Sequence, residues 1–443
     1  MPARVGHSRH VEIKHYGATD VGAVRQHNED TFLVDEELGL YMVCDGMGGH
    51  AAGDVASRTT AETVRDYLHE RRDMLTAVAE GKVSPEEAAT LLRQAIQTAS
   101  AAIHQLGKTD KSKRGMGTTC VASLILGGKC IMGNVGDSRL YLCRAGQVYQ
   151  LSEDHTFVQE AIRRGMLTPE QAENNPHQNL VTRAVGPNPS VLVDTLVFDL
   201  LAGDSLLICS DGLHGYVKDH AEISAMLRRP EELSVICNAF VDTANQRGGG
   251  DNITSLVVRA LASAEPQVAA RSRRVTAELA ALGHIVLFSE LDMKELVKVN
   301  NAFEHRDYAK DEVVVHEGEV AETLFVIVAG AAAVMRDNTQ VALLRAGDHF
   351  GEMALLSRRP RSATVRTLKS CSMLALSRDA FYEIMSSNQI IAGKFLWRLA
   401  QTLSLRLDDL YALQAQSSSK NDTLIERRNT KKYGIFPSPF DGR

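Results

Sequence analysis

Leu40-Tyr41-Met42-Val43-Cys44-Asp45-Gly46-Met47-Gly48-Gly49-His50 is an apolar run that stops on an aspartate and a glycine-rich turn. Residues 40–44 read as a buried strand, and Asp45-Gly46 ends it. The same pattern recurs along the next two hundred residues. Residues 131–135 run into Gly136-Asp137-Ser138-Arg139, residues 206–209 run into Ser210-Asp211-Gly212, and Asp251-Asn252 opens the strand 253–258. A fifth acidic pair, Glu29-Asp30, precedes the short strand 31–34. Strand ends on one edge of a packed pair of sheets converge, which would bring these carboxylates to one spot. Two carboxylates about 4 Å apart repel by roughly 4 kcal/mol at an effective dielectric near 20. Such a cluster needs bound cations or protons, and hard carboxylate oxygens select Mg²⁺ or Mn²⁺. Any one Asp-Gly or Asp-Asn is an ordinary turn dipeptide. Turn chemistry alone does not account for five in this placement.

Further local sequences extend the pattern: Arg25-Gln26-His27-Asn28-Glu29-Asp30, Gly117-Thr118-Thr119, Ser152-Glu153-Asp154-His155 and Thr182-Arg183-Ala184-Val185-Gly186, with Cys209-Ser210-Asp211-Gly212-Leu213 and Asp251-Asn252-Ile253-Thr254. In order and approximate spacing, the set resembles the metal-dependent serine/threonine protein phosphatases of the type 2C class over residues 10–260. The resemblance implies an α+β fold in which two antiparallel β-sheets are flanked by helices, an α-β-β-α sandwich. It also implies hydrolysis of phosphoserine and phosphothreonine in proteins. Asp45 would bridge two Mg²⁺ or Mn²⁺ ions, with the Gly46 carbonyl on one of them. Asp211 and Asp251 would hold the other, and Glu29 or Asp30 would support the first. Asp137 would join Asp211 at a third, weaker site. Two such metals about 3.5–4 Å apart make a water nucleophilic. Arg25 would clamp the substrate phosphate, because a guanidinium fork matches two phosphate oxygens. Animal relatives carry a histidine after the Asp-Gly pair as proton donor. This chain has Met47 there and His50 nearby, which leaves the general acid open. The chain therefore looks bacterial rather than animal.

Composition bounds the alternatives. The 443 residues suffice for two or three domains, with 44% hydrophobic and 23% charged residues, as in soluble globular proteins. A net charge of −6 argues against a general nucleic-acid binder. The seven cysteines lie mostly in apolar stretches without paired spacing, the pattern of reduced thiols in a cytoplasmic protein. None has an arginine six residues on, so a cysteine-nucleophile phosphatase loop is absent. The longest apolar run, 324–335, is too short to cross a bilayer, and no membrane partner is expected. Residues 46–51 have the outline of a glycine-rich dinucleotide turn, but Asp45 would set a negative charge against a pyrophosphate.

Within the first half, helices are marked at 56–68 and 85–106. Ser84 is the N-cap of the second, with Pro85 at N1 and Glu87 at N3 forming a capping box. The amphipathic segment 157–180 contains a helix-like 158–165 and the capping pattern Thr168-Pro169-Glu170-Gln171. In the relatives it is a mobile flap beside the metal site; the alternative is a merely structural surface excursion. Residues 261–283 read as a connector, helical from about Val268.

The second half opens with an amphipathic helix over 285–299. Strands at 312–316, 324–328, 331–336 and 341–345 follow. Then comes Phe350-Gly351-Glu352-Met353-Ala354-Leu355-Leu356, followed by Arg358-Arg359-Pro360-Arg361-Ser362-Ala363. Over residues 284–415 this resembles the β-roll of cyclic nucleotide-binding domains with flanking helices. Gly351 would allow close backbone approach, and a short helix from Met353 through Ala354 would offer N–H groups to the cyclic phosphate. Arg361 would neutralise that phosphate, and Glu352 would accept from the ribose 2′-hydroxyl. Ser362 leaves cyclic AMP and cyclic GMP both open, with the rest of the cassette nearer cyclic AMP sensors. Taken singly, Arg361 could solvate a strand end and Glu352 cap a turn. A helix over 391–414 places Leu396, Leu403 and Leu410 on one heptad row, Leu399, Arg406 and Leu413 on another. It would pack on its own roll or form a homodimer. Residues 416–443 read as a disordered basic tail.

Two functions are consistent with these residues. One is a phosphatase acting on phosphorylated proteins under control of a bound cyclic nucleotide. The other is a nucleotide-responsive scaffold with an inactive phosphatase half. The carboxylates Asp45, Asp211 and Asp251 are all present, which favours the enzyme.

Overall fold

The computed structural model describes residues 11–48, 52–173, 175–261 and 266–418. It divides between Arg273 and Arg274 into two compact units.

The strands of the first unit are β1 (Ile13–Asp20), β2 (Asp30–Asp35), β3 (Leu40–Met47), β4 (Gly117–Thr118), β5 (Cys120–Leu126), β6 (Lys129–Val135), β7 (Arg139–Arg144), β8 (Gln147–Gln150), β9 (Asp194–Asp199), β10 (Ser205–Cys209) and β11 (Ile253–Ala260). They form two antiparallel sheets, ordered β1-β11-β10-β7-β8 and β2-β3-β5-β6-β9, with β4 pairing β3 at the side. Period-two alternation explains the layers, since successive side chains of a strand face opposite sides. Leu40, Met42 and Cys44 of β3 join Ala56, Val64, Leu92 and Ile96 in a core under the helices Ala52–His69 and Pro85–Thr109. Tyr141 of β7, Leu207 of β10 and Val257 of β11 pack with Ile236 and Phe240 of the helix Leu233–Gln246. The alternate residues Val43, Leu206, Ile208 and Leu256 are equally inaccessible. They fill the space where β11 and β10 approach β2 and β3. The result is the expected helix-sheet-sheet-helix sandwich. All seven cysteines are buried and free.

One of the two helix starts differs. Ser84 does cap its helix, but its hydroxyl accepts from the Glu86 N–H at 3.2 Å and bonds the Glu86 carboxylate, so Glu87 does not complete a capping box. The Glu87 N–H instead donates to the Ser84 carbonyl at 3.1 Å. The Thr168–Gln171 pattern forms as read, with reciprocal bonds of 2.9 and 3.3 Å at the start of Pro169–Glu173.

The second unit contains β12 (Glu304–Tyr308), β13 (Val313–Val315), β14 (Thr323–Ala329), β15 (Ala331–Arg336), β16 (Thr339–Arg345), β17 (His349–Phe350), β18 (Thr364–Thr367) and β19 (Cys371–Ser377). They make two four-stranded sheets, β12-β19-β14-β17 and β13-β18-β15-β16. Ile327, Ala332, Val365 and Met373 fill the roll. The single opening helix expected over 285–299 is instead a 3₁₀ turn, Val286–Phe288, and a helix Met293–Asn300. Asp292 and Glu295 form a capping box, both bonds 2.8 Å, which starts a new helix there.

The last helix spans Gln389–Ser418. Leu399 packs on the core, whereas Leu396 and Leu403 are exposed. Arg406, Leu410 and Leu413 have side chains outside the described residues, as do all atoms of the tail from residue 419. Lys394 of this helix reaches Glu295 at 2.6 Å, with both side chains only 4% exposed. Removing one partner strands a charge in the interior. Lys394→Ala is expected to destabilise the second unit by about 3–5 kcal/mol. Lys394→Met combined with Glu295→Gln, which keeps the helix-capping acceptor, is expected to cost less than the single change. Denaturant unfolding of both variants measures the difference.

Candidate functional site

β2 and β3 are antiparallel neighbours in a register that sets Asp30 opposite Asp45. Like charges across a strand pair are destabilising, and the surroundings here are dry. Asp30 is 8% and Asp137 6% exposed. Sheet order brings in the rest. β10 ends at Cys209 between Arg139 of β7 and Ser255 of β11. The turns carrying Asp137, Asp211 and Asp251 therefore emerge side by side.

Electrostatics register the crowding. Burial, together with Asp211 and Asp251, pushes the Asp30 carboxyl up to about 7 against the bonds it receives. Burial and Asp211 do the same to Asp137, also to about 7. Asp45 is raised well above the carboxylate range by burial and by Asp30, Asp211 and Asp137, and Asp211 is raised by burial and by Asp251. Asp30 Oδ1 and Asp211 Oδ1 are buried and accept no hydrogen bond. Oxygens so placed call for a cation.

Neutral groups hold the aspartates in position. Ser210 Oγ and Thr254 Oγ1 each donate to Asp30 Oδ2 at 2.7 Å. The Asp45 N–H donates to Thr119 Oγ1 at 2.9 Å, and its carbonyl accepts from Thr118 Oγ1 at 2.8 Å. Asn252 accepts from the Glu29 N–H at 2.8 Å and donates to the carbonyls of Val21 and His27, both at 2.9 Å. It thereby fixes the loop bearing Arg25 and Glu29. Arg25 Nη2 bonds Asp251 Oδ2 at 2.7 Å, on the exposed side of the cluster. Glu29 lies against the first turn of the helix Ala52–His69. A Cβ on Gly53 would stand 2.5 Å from Glu29 Oε2, and one on Gly46 would stand 2.2 Å from the Gly53 carbonyl. Both positions have room only for glycine.

The Asp137 turn is pinned twice. His214 Nε2 donates to the Asp137 carbonyl at 2.9 Å, and His155 Nδ1 accepts from the Gly136 N–H at 3.0 Å. That acceptor role puts the His155 proton on Nε2, 3.1 Å from Asp194 Oδ2. His155 and the bridge Thr156–Val181 tie this turn to the segment 157–180. Thr119, Ser210, Asn252 and Thr254 stand within the motifs above with no expected part in the site. Their signal was polarity inside otherwise apolar strand ends.

The structure thus gathers Arg25, Glu29, Asp30, Asp45, Gly46, Asp137, Asp211 and Asp251 around one centre. Met47 sits at the end of β3, and His50 lies outside the described residues. Among the described residues no three His, Cys, Asp or Glu side chains enclose an ion position by themselves. An ion here would complete its shell from the Gly46 carbonyl and water, as Mg²⁺ commonly does. The unpartnered Asp30 and Asp211 oxygens and the mutual repulsion fit that requirement.

In the second unit Gly351 adopts φ +83°, and a Cβ there would lie 2.3 Å from Arg361 Nη1. Arg361 Nη2 donates to the Thr323 carbonyl at 2.8 Å, and its guanidinium carbon is 5.9 Å from the Phe325 ring centre. Burial pulls its pKa down. Glu352 precedes the short helix Met353–Leu356, and Ser362 is exposed. One expectation is corrected. The Ala354 N–H closes the turn on the Gly351 carbonyl at 3.0 Å, so it is not a free phosphate donor in this conformation.

A buried acidic centre with an arginine at its rim is what a metal-dependent phosphoester hydrolase requires. The chain belongs to the protein phosphatase 2C family, whose model matches residues 11–257, and is a serine/threonine protein phosphatase. A cyclic nucleotide-binding domain matches residues 305–388. The serine/threonine phosphatase stp of Listeria innocua is 40% identical over 243 residues, 54% of this chain and 93% of that one. Protein phosphatase PhpP of Streptococcus pneumoniae is 33% identical over 244 residues, 54% of this chain and 94% of that one. Among solved structures, the Mycobacterium tuberculosis serine/threonine phosphatase PstP/Ppp matches with TM-score 0.50 at 32% identity, over 57% of this chain and 99% of that one. Stp1 of Staphylococcus aureus matches with TM-score 0.51 at 30% identity, over 57% and 97%. No helix among the described residues is long and apolar enough to cross a membrane.

A carboxyl whose folded-state pKa exceeds its unfolded value binds its proton more tightly in the folded chain. Asp30 therefore contributes fully below about 4, and that contribution is lost as pH rises through about 7. In chelator, stability should fall over this window by up to about 1.4 kcal/mol per pH unit for each such group. Asp30→Asn should flatten the slope, and Mn²⁺ at pH 7 should restore stability. Thermal unfolding across pH, with and without metal, measures both.

Proposed function

We propose that the first unit hydrolyses phosphoserine and phosphothreonine in cytoplasmic phosphoproteins with two Mg²⁺ or Mn²⁺ ions, and that the second binds a cyclic nucleotide that changes this activity. The observation that carries the first part is the buried cluster with orphaned oxygens on Asp30 and Asp211. Asp45, the Gly46 carbonyl, Asp211 and Asp251 hold the ions, with Glu29 and Asp30 behind them and Asp137 serving a third, weaker site. When bound, the ions lower the pKa of water and supply the nucleophile. Arg25, already turned toward the centre by Asp251, presents its guanidinium to two oxygens of the substrate phosphate. Asn252 keeps the Arg25 loop in place during turnover.

The second part rests on the Arg361–Gly351 contact, which leaves a guanidinium beside a glycine turn that admits a phosphate. Glu352 takes the ribose hydroxyl, Met353 and the turn backbone flank the phosphate, and Ser362 borders the base. Cyclic AMP is the preferred ligand. The two functions reside in residues 10–260 and 284–415, with 261–283 connecting them, and the exposed Leu396 and Leu403 form a homodimer contact.

Phosphothreonine-peptide hydrolysis is expected to require added Mg²⁺ or Mn²⁺. Asp211→Ala or Asp251→Ala should lower kcat by several orders of magnitude, and Arg25→Ala should mainly raise KM. Full activity in excess chelator would overturn the assignment.

Calorimetry with cyclic AMP and cyclic GMP tests the second unit. Arg361→Ala is expected to weaken binding about 10–100-fold, the loss of a charged hydrogen bond. Saturating nucleotide should shift peptide hydrolysis roughly 5–150-fold. Unchanged kinetics at saturation would remove the regulatory part and leave the phosphatase standing.

A further inference from the structure

The sheet β1-β11-β10-β7-β8 has two edges of strand ends, and the carboxylates occupy only one. At the other, Cys143, Gly146, Ser205, Leu227, Arg228 and Arg259 line a cavity of about 460 Å³, a size typical of small-ligand pockets. Register fixes the separation. Cys209 pairs with Arg139, beside the Asp137 and Asp211 turns, whereas Ser205 pairs with Cys143 and Arg259. Four residue steps of β10 lie between, about 13 Å at ~3.3 Å each. The cavity is therefore distinct from the carboxylate centre.

Its lining is cationic. Neither Arg228 nor Arg259 makes an ion pair among the described residues. The neighbouring carboxylate, Asp204, is buried and committed to Arg144, whose Nε donates to Oδ1 at 3.0 Å. Arg259 Nε donates to Ser205 Oγ at 3.3 Å and its Nη2 bonds the Leu227 carbonyl, which hold the guanidinium without neutralising it. Arg228 follows the helix His220–Leu227 and lies over the Ala145-Gly146 turn, where a Cβ on Gly146 would stand 3.1 Å from its Nη1. Gly146 takes φ +83° there.

We propose that this cavity is a second anion site of the phosphatase unit, taking a phosphate-type oxyanion between Arg228 and Arg259. Arg228 offers a guanidinium fork that matches two phosphate oxygens, Arg259 adds its remaining Nη donors, and Ser205 adds a hydroxyl. The oxyanion is free phosphate or a phosphoryl group carried on a protein, and both present the same dianionic head.

The metal-loaded full chain is titrated calorimetrically with inorganic phosphate and, separately, with a peptide carrying the non-hydrolysable phosphonate analogue of phosphoserine. At least one probe should show a binding event that persists in Arg25→Ala and in Arg361→Ala. That event should weaken at least about tenfold in Arg228→Ala, with Arg228→Lys intermediate. Tighter phosphate binding identifies the free ion, and tighter peptide binding identifies a protein-borne group. Arg228 is exposed and its replacement leaves the packing intact. Arg259→Ala, checked by circular dichroism, provides the second arm. The proposal is overturned if no event remains once Arg25 and Arg361 are replaced, or if the event survives both Arg228→Ala and Arg259→Ala.

Discussion

Repulsion among buried carboxylates is the constraint around which the first unit is organised. Hydrophobic burial along β3, β10 and β11 drives the sheets together and carries Asp30, Asp45, Asp137 and Asp211 into one dry corner, with Asp251 at its exposed side. Nothing in the apolar core compensates for that charge. Compensation comes from hydroxyls and amides aimed at the aspartates, from partial protonation when no cation is bound, and from cations when they are. The site and the fold are thus coupled through one unfavourable term, and metal binding reports on both.

The neutral scaffold sets how sharply the centre is defined. Ser210 and Thr254 share a single oxygen of Asp30, so the other oxygen is left facing the cluster. Asn252 meets three backbone groups from one loop, and the isosteric Asp could make only the bond from Glu29 while adding a further negative charge. The same economy recurs in the second unit, where Gly351 and Arg361 occupy space that any side chain on the turn would claim.

Much of this was legible in the chain itself. Apolar strands ending on acids located the carboxylate centre, because period-two burial and turn chemistry are local rules. Element limits followed to within a few residues for β3, β6 and β15. What local rules missed depended on partners distant in sequence or on competition between neighbours. Glu86 displaced Glu87 at the Ser84 cap because the Glu86 N–H took the hydroxyl and the Glu87 N–H the Ser84 carbonyl. Asp292 broke the helix expected over 285–299 because its capping box outweighed the apolar periodicity on either side. The Ala354 N–H closed its own turn. The roles of Thr119 and Asn252 needed contacts spanning more than seventy and two hundred residues, which no window along the chain contains.

The cysteines carry a separate consequence. Burial pushes the thiols of Cys130 and Cys209 up to about 12 and that of Cys237 up to about 11. Alkylating agents and peroxides attack thiolates, and these side chains hold their protons at physiological pH. Phosphoester chemistry in this fold uses oxygen ligands and has no sulfur nucleophile to lose. Oxidants that silence thiol-dependent phosphatases therefore meet Cys130, Cys209 and Cys237 buried and in the protonated, unreactive form.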